Sequence, residues 1–315
     1  MKVLFLGTPE FAVPTLSELI AFPKTEVVGV VCQPDRPAGR GNKVHVPPVK
    51  EIAVKHNIPV LQPVKLAKEP DVVAAMRKLE PDLIVMVAFG QILKKEVLDI
   101  PKRGVMNLHG SLLPKWRGAA PINWSIMNGD TVAGITTMFT DVGVDTGPML
   151  LKAEVPLTDE MTSIDLAQIL STVGAKLVIE TIEKMLDGSL VAQPQDDSQH
   201  TYAPILSKEM GVIDWHWDAK KIHNRVRGLQ PWPGTVATHK GSPLKVWSTK
   251  VQSGDHSSTK AGTIFLEGNH LLVACGEEGT QRLELIEVQP ANKKRMAAQA
   301  WANGVHLKSG QECFV

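Results

Sequence analysis

Residues 82–89, DLIVMVAF, form a continuous apolar run with no polar alternation. A half-buried strand alternates, so this one expects cover on both faces, as in a parallel sheet flanked by helices. Neighbouring stretches repeat the theme. Residues 3–6 make a short apolar strand, EVVGVV (26–31) a second, IPVLQP (58–63) a short third and GVMNLH (104–109) another, while DVVAAMRKL (71–79) has helical spacing. Strand and helix taking turns implies right-handed crossovers and a mostly parallel, twisted α/β sheet with helices on both faces. GTPE (7–10) reads as a helix start, with Thr8 able to cap and Pro9 suited to the first helical position. Further on, PINWSIMNG (121–129) reads as a helix, GITTMF (134–139) as a strand, MLLKAEVPL (149–157) as an edge strand, and 162–186 as a long helix.

At 315 residues the chain is long for a single core. The alternating pattern lapses in DGSLVAQPQDDSQHTYAPIL (187–206), and beyond it come short strands with turn signals. The expected organisation is a catalytic domain over 1–188, a linker over 189–206 and a small antiparallel, OB-like β-barrel over 207–315.

The residue balance excludes several classes. Apolar residues make up 43% and charged residues 21%, which suits a soluble globular protein. No apolar run approaches the roughly 18 residues that span a bilayer, so no membrane role is expected. The N-terminal MKVLFLGTPEF reads as a first strand and not as a signal peptide. Three widely separated cysteines without CxxC suit a reduced cytoplasm. Ten histidines without HxH, HExxH or Cys/His spacing give no support for a metal. With a net charge of +1, any nucleic-acid contact must come from a local patch. A monomer is expected.

GTPEF lacks the second and third glycines of a dinucleotide fingerprint, which excludes close backbone approach to a pyrophosphate there. VMNLHGSLLPKWRGAAP (105–121) is more informative. Asn107 and His109 lie two apart on a strand and share a face, whereas Leu108 points the other way. Ligands in open α/β sheets sit beyond the carboxyl ends of strands. There an Asn amide can serve a developing oxyanion, and a His can move a proton near neutrality. From spacing alone the two could equally satisfy loop backbone groups. DVGVDTG (141–147) follows a strand, and one of its acids could orient His109; as a lone motif it could also be a solvated turn.

NLHGSLLPKWRGAAPINW followed by DVGVDTG resembles the formyltransferase family that uses 10-formyltetrahydrofolate. QPDRPAGRGNKVHVPPVK (33–50) resembles the basic loop of members that act on methionyl-tRNA, and IDW, LQPWPG, KVW and QPANKKRM extend the likeness over nearly the whole chain. Gln230, where Asn is usual before PWP, and Phe89, where Tyr is common, depart from the pattern. The resemblance implies formyl transfer from the folate co-substrate to the α-amine of methionine on initiator tRNA, with Asn107, His109 and Asp145 as the catalytic set; Asp141 is not the match. It also implies a folate site formed by Ser111, Leu112, Leu113 and Pro114 with Phe89, Gly90, Gln91 and Ile92, and a cis Leu113–Pro114 bond. Arg36, Arg40 and Lys43 in the loop, and Lys293, Lys294 and Arg295 near the C-terminus, are the expected tRNA contacts. Arg40, between Gly39 and Gly41, is expected to contribute most. Trp215, Trp217, Trp232 and Trp247 are expected in the core of the C-terminal domain. The alternatives are a formyltransferase acting on a sugar-nucleotide amine and a non-catalytic tRNA-binding protein.

Overall fold

The structure, a computed structural model, describes residues 1–38, 43–254 and 256–315. Chain order begins β1 (Lys2–Gly7), α1 (Val13–Ala21), β2 (Glu26–Val31), β3 (Arg36–Ala38), β4 (Lys43–His45), α2 (Pro48–Lys55), β5 (Val60–Leu61), α3 (Pro70–Lys78) and β6 (Leu83–Val87). It continues with α4 (Lys95–Leu98), β7 (Val105–His109), β8 (Arg117–Gly118), α5 (Pro121–Met127), β9 (Val132–Phe139), β10 (Met149–Pro156), α6 (Ser163–Asp187) and β11 (Tyr202–Ala203). Then come α7 (Ala219–Gly228), β12 (Thr235–His239), β13 (Ser242–Val251), β14 (Ile264–Glu267), β15 (His270–Cys275), β16 (Gln281–Pro290), β17 (Met296–Ala297) and α8 (Ala298–Gly304). Two compact units result: Met1–Pro121, Val132–Val155 and Ala167–Ala203 form one, and Ile122–Thr131, Pro156–Leu166 and Pro204–Val315 form the other.

The first unit is built on a sheet of order β10-β9-β7-β6-β1-β2-β5. β1 pairs in parallel with β2 and β6, β2 with β5, and β6 with β7. β7 pairs antiparallel with β9, so it stands where the sheet changes sense. The unalternating run of β6 is buried along nearly its whole length, as its composition requires. Leu4, Leu6, Ile84 and Val105 pack with Met76 of α3 and Phe89 on one face. On the other side of β7, α6 comes very close: a Cβ on Gly174 would lie 2.8 Å from Leu108 Cδ2 and 2.6 Å from Ile135 Cδ1. Leu108 is thus committed to α6, and strand alternation turns Asn107 and His109 to the opposite face.

One local expectation fails. Thr8 does not cap a helix; its Oγ1 donates to the Phe89 carbonyl (3.4 Å) and accepts the Gln33 N–H (3.2 Å). A 3-10 turn, Glu10–Ala12, intervenes, and the proline in the first turn of α1 is Pro14. Tertiary hydrogen bonds between strand ends win over the local cap.

In the second unit the ladder runs β12-β13-β16-β15-β14, with β17 added to β16, and every pairing is antiparallel. The C-terminal segment joins the two outer strands: Val315 exchanges backbone hydrogen bonds with Thr238 of β12, Ile264 of β14 donates to the Glu312 carbonyl, and Phe314 donates to that of Gly262. Trp215, Trp301 and Phe314 stack in its core with Ile222, Leu271 and Leu283. Trp217 packs partly buried against this core. Trp232 is half exposed, and Trp247 is partly buried beneath Arg295 outside the core cluster, so neither belongs to the core.

Candidate active site

Past His109 the chain turns sharply, with Ser111 N–H on the His109 carbonyl (2.9 Å). Thr136 Oγ1 donates to the Ser111 carbonyl (2.7 Å) and accepts the Leu113 N–H (3.2 Å), and Lys152 Nζ donates to the Leu113 carbonyl (2.6 Å). The Leu113–Pro114 bond is cis, as the motif implied; Gln230–Pro231 and Trp232–Pro233 are cis as well. β8 then pairs in parallel with β11, returning the chain to the end of β7.

This return assembles the catalytic candidates. Asn107 and His109 are 8% and 5% exposed. Asp145 Oδ2 accepts the Gly118 N–H (2.9 Å) and lies 3.5 Å from His109 Nδ1, while Asn107 Nδ2 lies 3.5 Å from Asp145 Oδ1. His109 Nε2 meets the Trp116 carbonyl at 2.9 Å. A carbonyl only accepts, so Nε2 carries a proton and Nδ1, facing Asp145, is the position at which a second can be taken up or released.

The turn settles which acid faces the histidine. Asp141 spends Oδ1 on the Gly143 N–H (3.0 Å) and Thr146 Oγ1 (2.7 Å), within its own loop. Asp145 adopts φ +53°, a left-handed conformation that costs a non-glycine residue about 1–2 kcal/mol. Gly147 is obligatory, since a Cβ there would lie 1.8 Å from the Phe139 carbonyl oxygen. Gln195 Nε2 donates to the carbonyls of both Asp145 and Gly147 (2.8 Å each), and its Oε1 accepts from Arg117 Nε (2.9 Å). Arg117 is 4% exposed, with its NH2 on Asp197 (2.7 Å). Neither Gln195 nor Arg117 carries a signal in the sequence: Gln195 stands in the polar stretch expected to be a linker.

The expected folate residues divide in two. Ser111, Leu113 and Phe89 are buried framework; Ser111 Oγ donates to the Lys115 carbonyl, and Leu113 packs on Met138 and Met149. Gln91 fastens its own loop through the Leu66 N–H and the Pro63 carbonyl. Leu112 and Pro114 are half-buried, and Ile92 is exposed. Gly90 has φ +80° with no heavy atom within 4 Å of an added Cβ, leaving an open backbone edge.

Of the expected tRNA contacts, Arg36 is exposed and reaches Gln33 Oε1 (3.1 Å). Arg40, with Gly39 and Gly41, and the side chain of Lys43 lie outside the described residues. Lys293 and Lys294 are exposed; the Arg295 guanidinium lies over the Trp247 ring, 3.4 Å from its centroid, and 3.6 Å from Glu287.

A cavity of about 450 Å³ in the second unit is lined by Asp159, Lys220, His223, Arg227, Trp247 and Lys250 among others. None of the expected site residues lines it. Its buried polar groups are committed to one another: Arg227 donates to the Thr158 and Met161 carbonyls and to Asn224, and His223 joins the Asp159 carbonyl to Thr249 Oγ1. Burial, with Arg227 and Lys220 adding, pushes His223 below the usual histidine range. Among the described residues no cluster of His, Cys, Asp or Glu is placed to hold a metal ion, and no helix is long and apolar enough to cross a membrane.

The chain is similar to known proteins over nearly its whole length. Residues 1–182 match the family described as formyl transferase, and residues 205–306 match formyl transferase, C-terminal domain. A methionyl-tRNA formyltransferase of Acetivibrio thermocellus is 48% identical over 312 residues, covering 99% of both chains. One from Clostridium perfringens strain 13 is 46% identical over 311 residues, again covering 99% of each. Among solved structures, an N-formyltransferase from Helicobacter canadensis, in complex with folinic acid and dTDP-3-aminofucose, matches with a TM-score of 0.69 at 17% identity, covering 90% of this chain and 99% of that one. That last likeness concerns the fold. Matched over both parts of its length and nearly half identical end to end to such relatives, the chain belongs to the formyl transferase family.

Proposed function

We propose that the chain transfers a formyl group from 10-formyltetrahydrofolate to the α-amine of methionine on initiator methionyl-tRNA, acting as a cytoplasmic monomer. The observation that carries this reading is the end-to-end identity of 46–48% to methionyl-tRNA formyltransferases, joined to a strand end that holds Asn107, His109 and Asp145 together. The folate, when bound, supplies the formyl carbon. Its flat, polar-edged ring suits the open backbone edge at Gly90 beside exposed Ile92, with Leu112 and Pro114 as apolar wall.

During transfer a bond forms from the amine nitrogen to the formyl carbon, the bond to N10 breaks, and the proton of the amine ends on N10. Asn107 Nδ2 offers an N–H to the negative charge that develops on the formyl oxygen, and the positive charge of protonated His109 beside it lowers that charge's energy. Asp145, aimed at Nδ1, orients the ring while His109 carries the proton in transit. The Trp116 carbonyl keeps the other ring nitrogen protonated, so proton exchange is confined to one edge. No covalent enzyme intermediate is needed. Arg36, Arg40, Lys43, Lys293, Lys294 and Arg295 serve the tRNA, whose phosphates suit their charge.

The test is to incubate the protein with 10-formyltetrahydrofolate and either methionyl initiator tRNA or a dTDP-amino sugar. N-formylmethionine on the tRNA is expected. Formylation of the sugar alone would reassign the acceptor, and tRNA binding without transfer to either would contradict catalysis.

A further inference from the structure

The carboxylate that faces His109 is not held by its neighbours in the chain. Asp145 and Gly147 begin and end a tight turn, and both present their carbonyls to one amide, Gln195 Nε2, at 2.8 Å each. That amide cannot flip. Arg117 has only donors, so Gln195 Oε1 must face it and the NH2 must face the carbonyls. Arg117 is itself buried, its charge answered by Asp197. The neighbouring β8 residue, Gly118, gives its N–H to Asp145 Oδ2. One short stretch, residues 117–118, therefore sets both the side chain of Asp145, directly, and its backbone, through Gln195. Without the Gln195 bridge the carbonyl of the left-handed residue at 145 loses this hydrogen bond, and relaxation of the turn would rotate the carboxylate away from His109.

We infer that Gln195 is a positioning residue for the formyl transfer proposed above, on which this inference rests. It holds the Asp145–Gly147 turn so that the carboxylate faces His109 Nδ1. It touches neither substrate and acts through Asp145 alone.

A double-mutant cycle on the full chain tests this. Wild type, Gln195→Ala, Asp145→Asn and the double variant are compared for kcat, for KM of each substrate and for thermal midpoint. Gln195→Ala should lower kcat on the order of 10- to 100-fold, the size expected when a catalytic group shifts by about an ångström, with both KM values within about twofold. In the Asp145→Asn background the same change should cost less than about twofold, because its effect has no group left to act through. The near-isosteric Gln195→Met is carried alongside, since it removes the donors with little change in volume. Equal fractional losses in both backgrounds would make Gln195 merely structural and overturn the inference, as would a folded Gln195→Ala of normal kcat. Failure of both variants to fold would also overturn it, by assigning Gln195 to the fold. A wild type that formylates no methionyl-tRNA contradicts the proposed activity; an active wild type with unaffected variants contradicts this inference alone.

Discussion

The histidine–carboxylate pairs His109–Asp145 of the first unit and His239–Glu312 of the second are almost equally buried and differently made. His109 and Asp145 stand 3.5 Å apart, and each is steadied by backbone of the same returning segment: the Trp116 carbonyl on one, the Gly118 N–H on the other. His239 Nε2 and Glu312 Oε2 are 2.7 Å apart; Lys240 Nζ adds a cation at 3.0 Å, the Lys308 N–H a further donor, and the His239 ring stands edge-on to Trp301. The second pair is saturated, and it fastens the terminal segment to β12. The first is held from behind and left loose across the gap, where proton transfer needs adjustable partners; catalytic hydrogen bonds tighten when the substrate arrives. A short, fully partnered pair marks cohesion, and a long one with fixed outer partners marks chemistry.

Separating the two pairs by mutation gives the largest effects. His109→Ala should lower turnover by 10²–10⁴-fold, the usual contribution of a general acid–base group, while thermal melting moves little. Combining it with Asp145→Ala should cost far less than the product of the single losses, because the two act as a unit. Near-normal turnover in the folded His109 variant would dissolve the contrast. The complementary change, Glu312→Gln, should destabilise the protein by about 1.5–3 kcal/mol, the range for hydrogen bonds to charged groups, with turnover per folded molecule unchanged. Chemical denaturation read beside the formylation assay checks both halves.

A smaller effect sharpens the comparison through pH. Lys240 first, with His239 and the Lys308 N–H, holds the Glu312 carboxyl well below its ordinary range, at about 2. The folded form therefore resists protonation more than the unfolded one, so the contribution is fully present above the unfolded value of about 4.3. It fades as pH falls from there toward 2. The stability gap between wild type and Glu312→Gln should be constant from pH 6 to 5 and narrow below pH 4. A gap that widens on acidification would reverse the assignment. Smallest is the loop effect: Arg36→Ala should lower the salt dependence of tRNA binding by about one unit of slope and leave folate binding unchanged. An unchanged slope with weaker folate binding would place Arg36 with the donor site.

The sheet was legible because its strands are short apolar runs separated by helical spacing. DLIVMVAF announces β6, and the spacing of Asn107, Leu108 and His109 already separates the catalytic face from the α6 face. The sequence did not show that β9 runs antiparallel to β7, since the helix read at 121–129 between the two strands suits a parallel crossover equally well. Thr8 misled because a cap is a local preference and its hydroxyl is claimed by Phe89 and Gln33 from other strand ends. Asp141 and Asp145 are indistinguishable by type, and only resemblance chose between them; geometry supplies a reason, since Asp141 is consumed in its own loop. Gln195 and Arg117 were illegible. They meet from positions 78 residues apart, and no periodicity encodes a hydrogen bond at that separation.

The most direct test of the account is the single-turnover rate of formyl transfer in Asp145→Asn at saturating 10-formyltetrahydrofolate and methionyl-tRNA, with melting and binding of both substrates measured on the same preparation. The account predicts transfer at least about 100-fold slower than wild type, with unchanged melting and binding. A rate within threefold of wild type would contradict it, because the carboxylate facing His109 would then have no part in moving the proton.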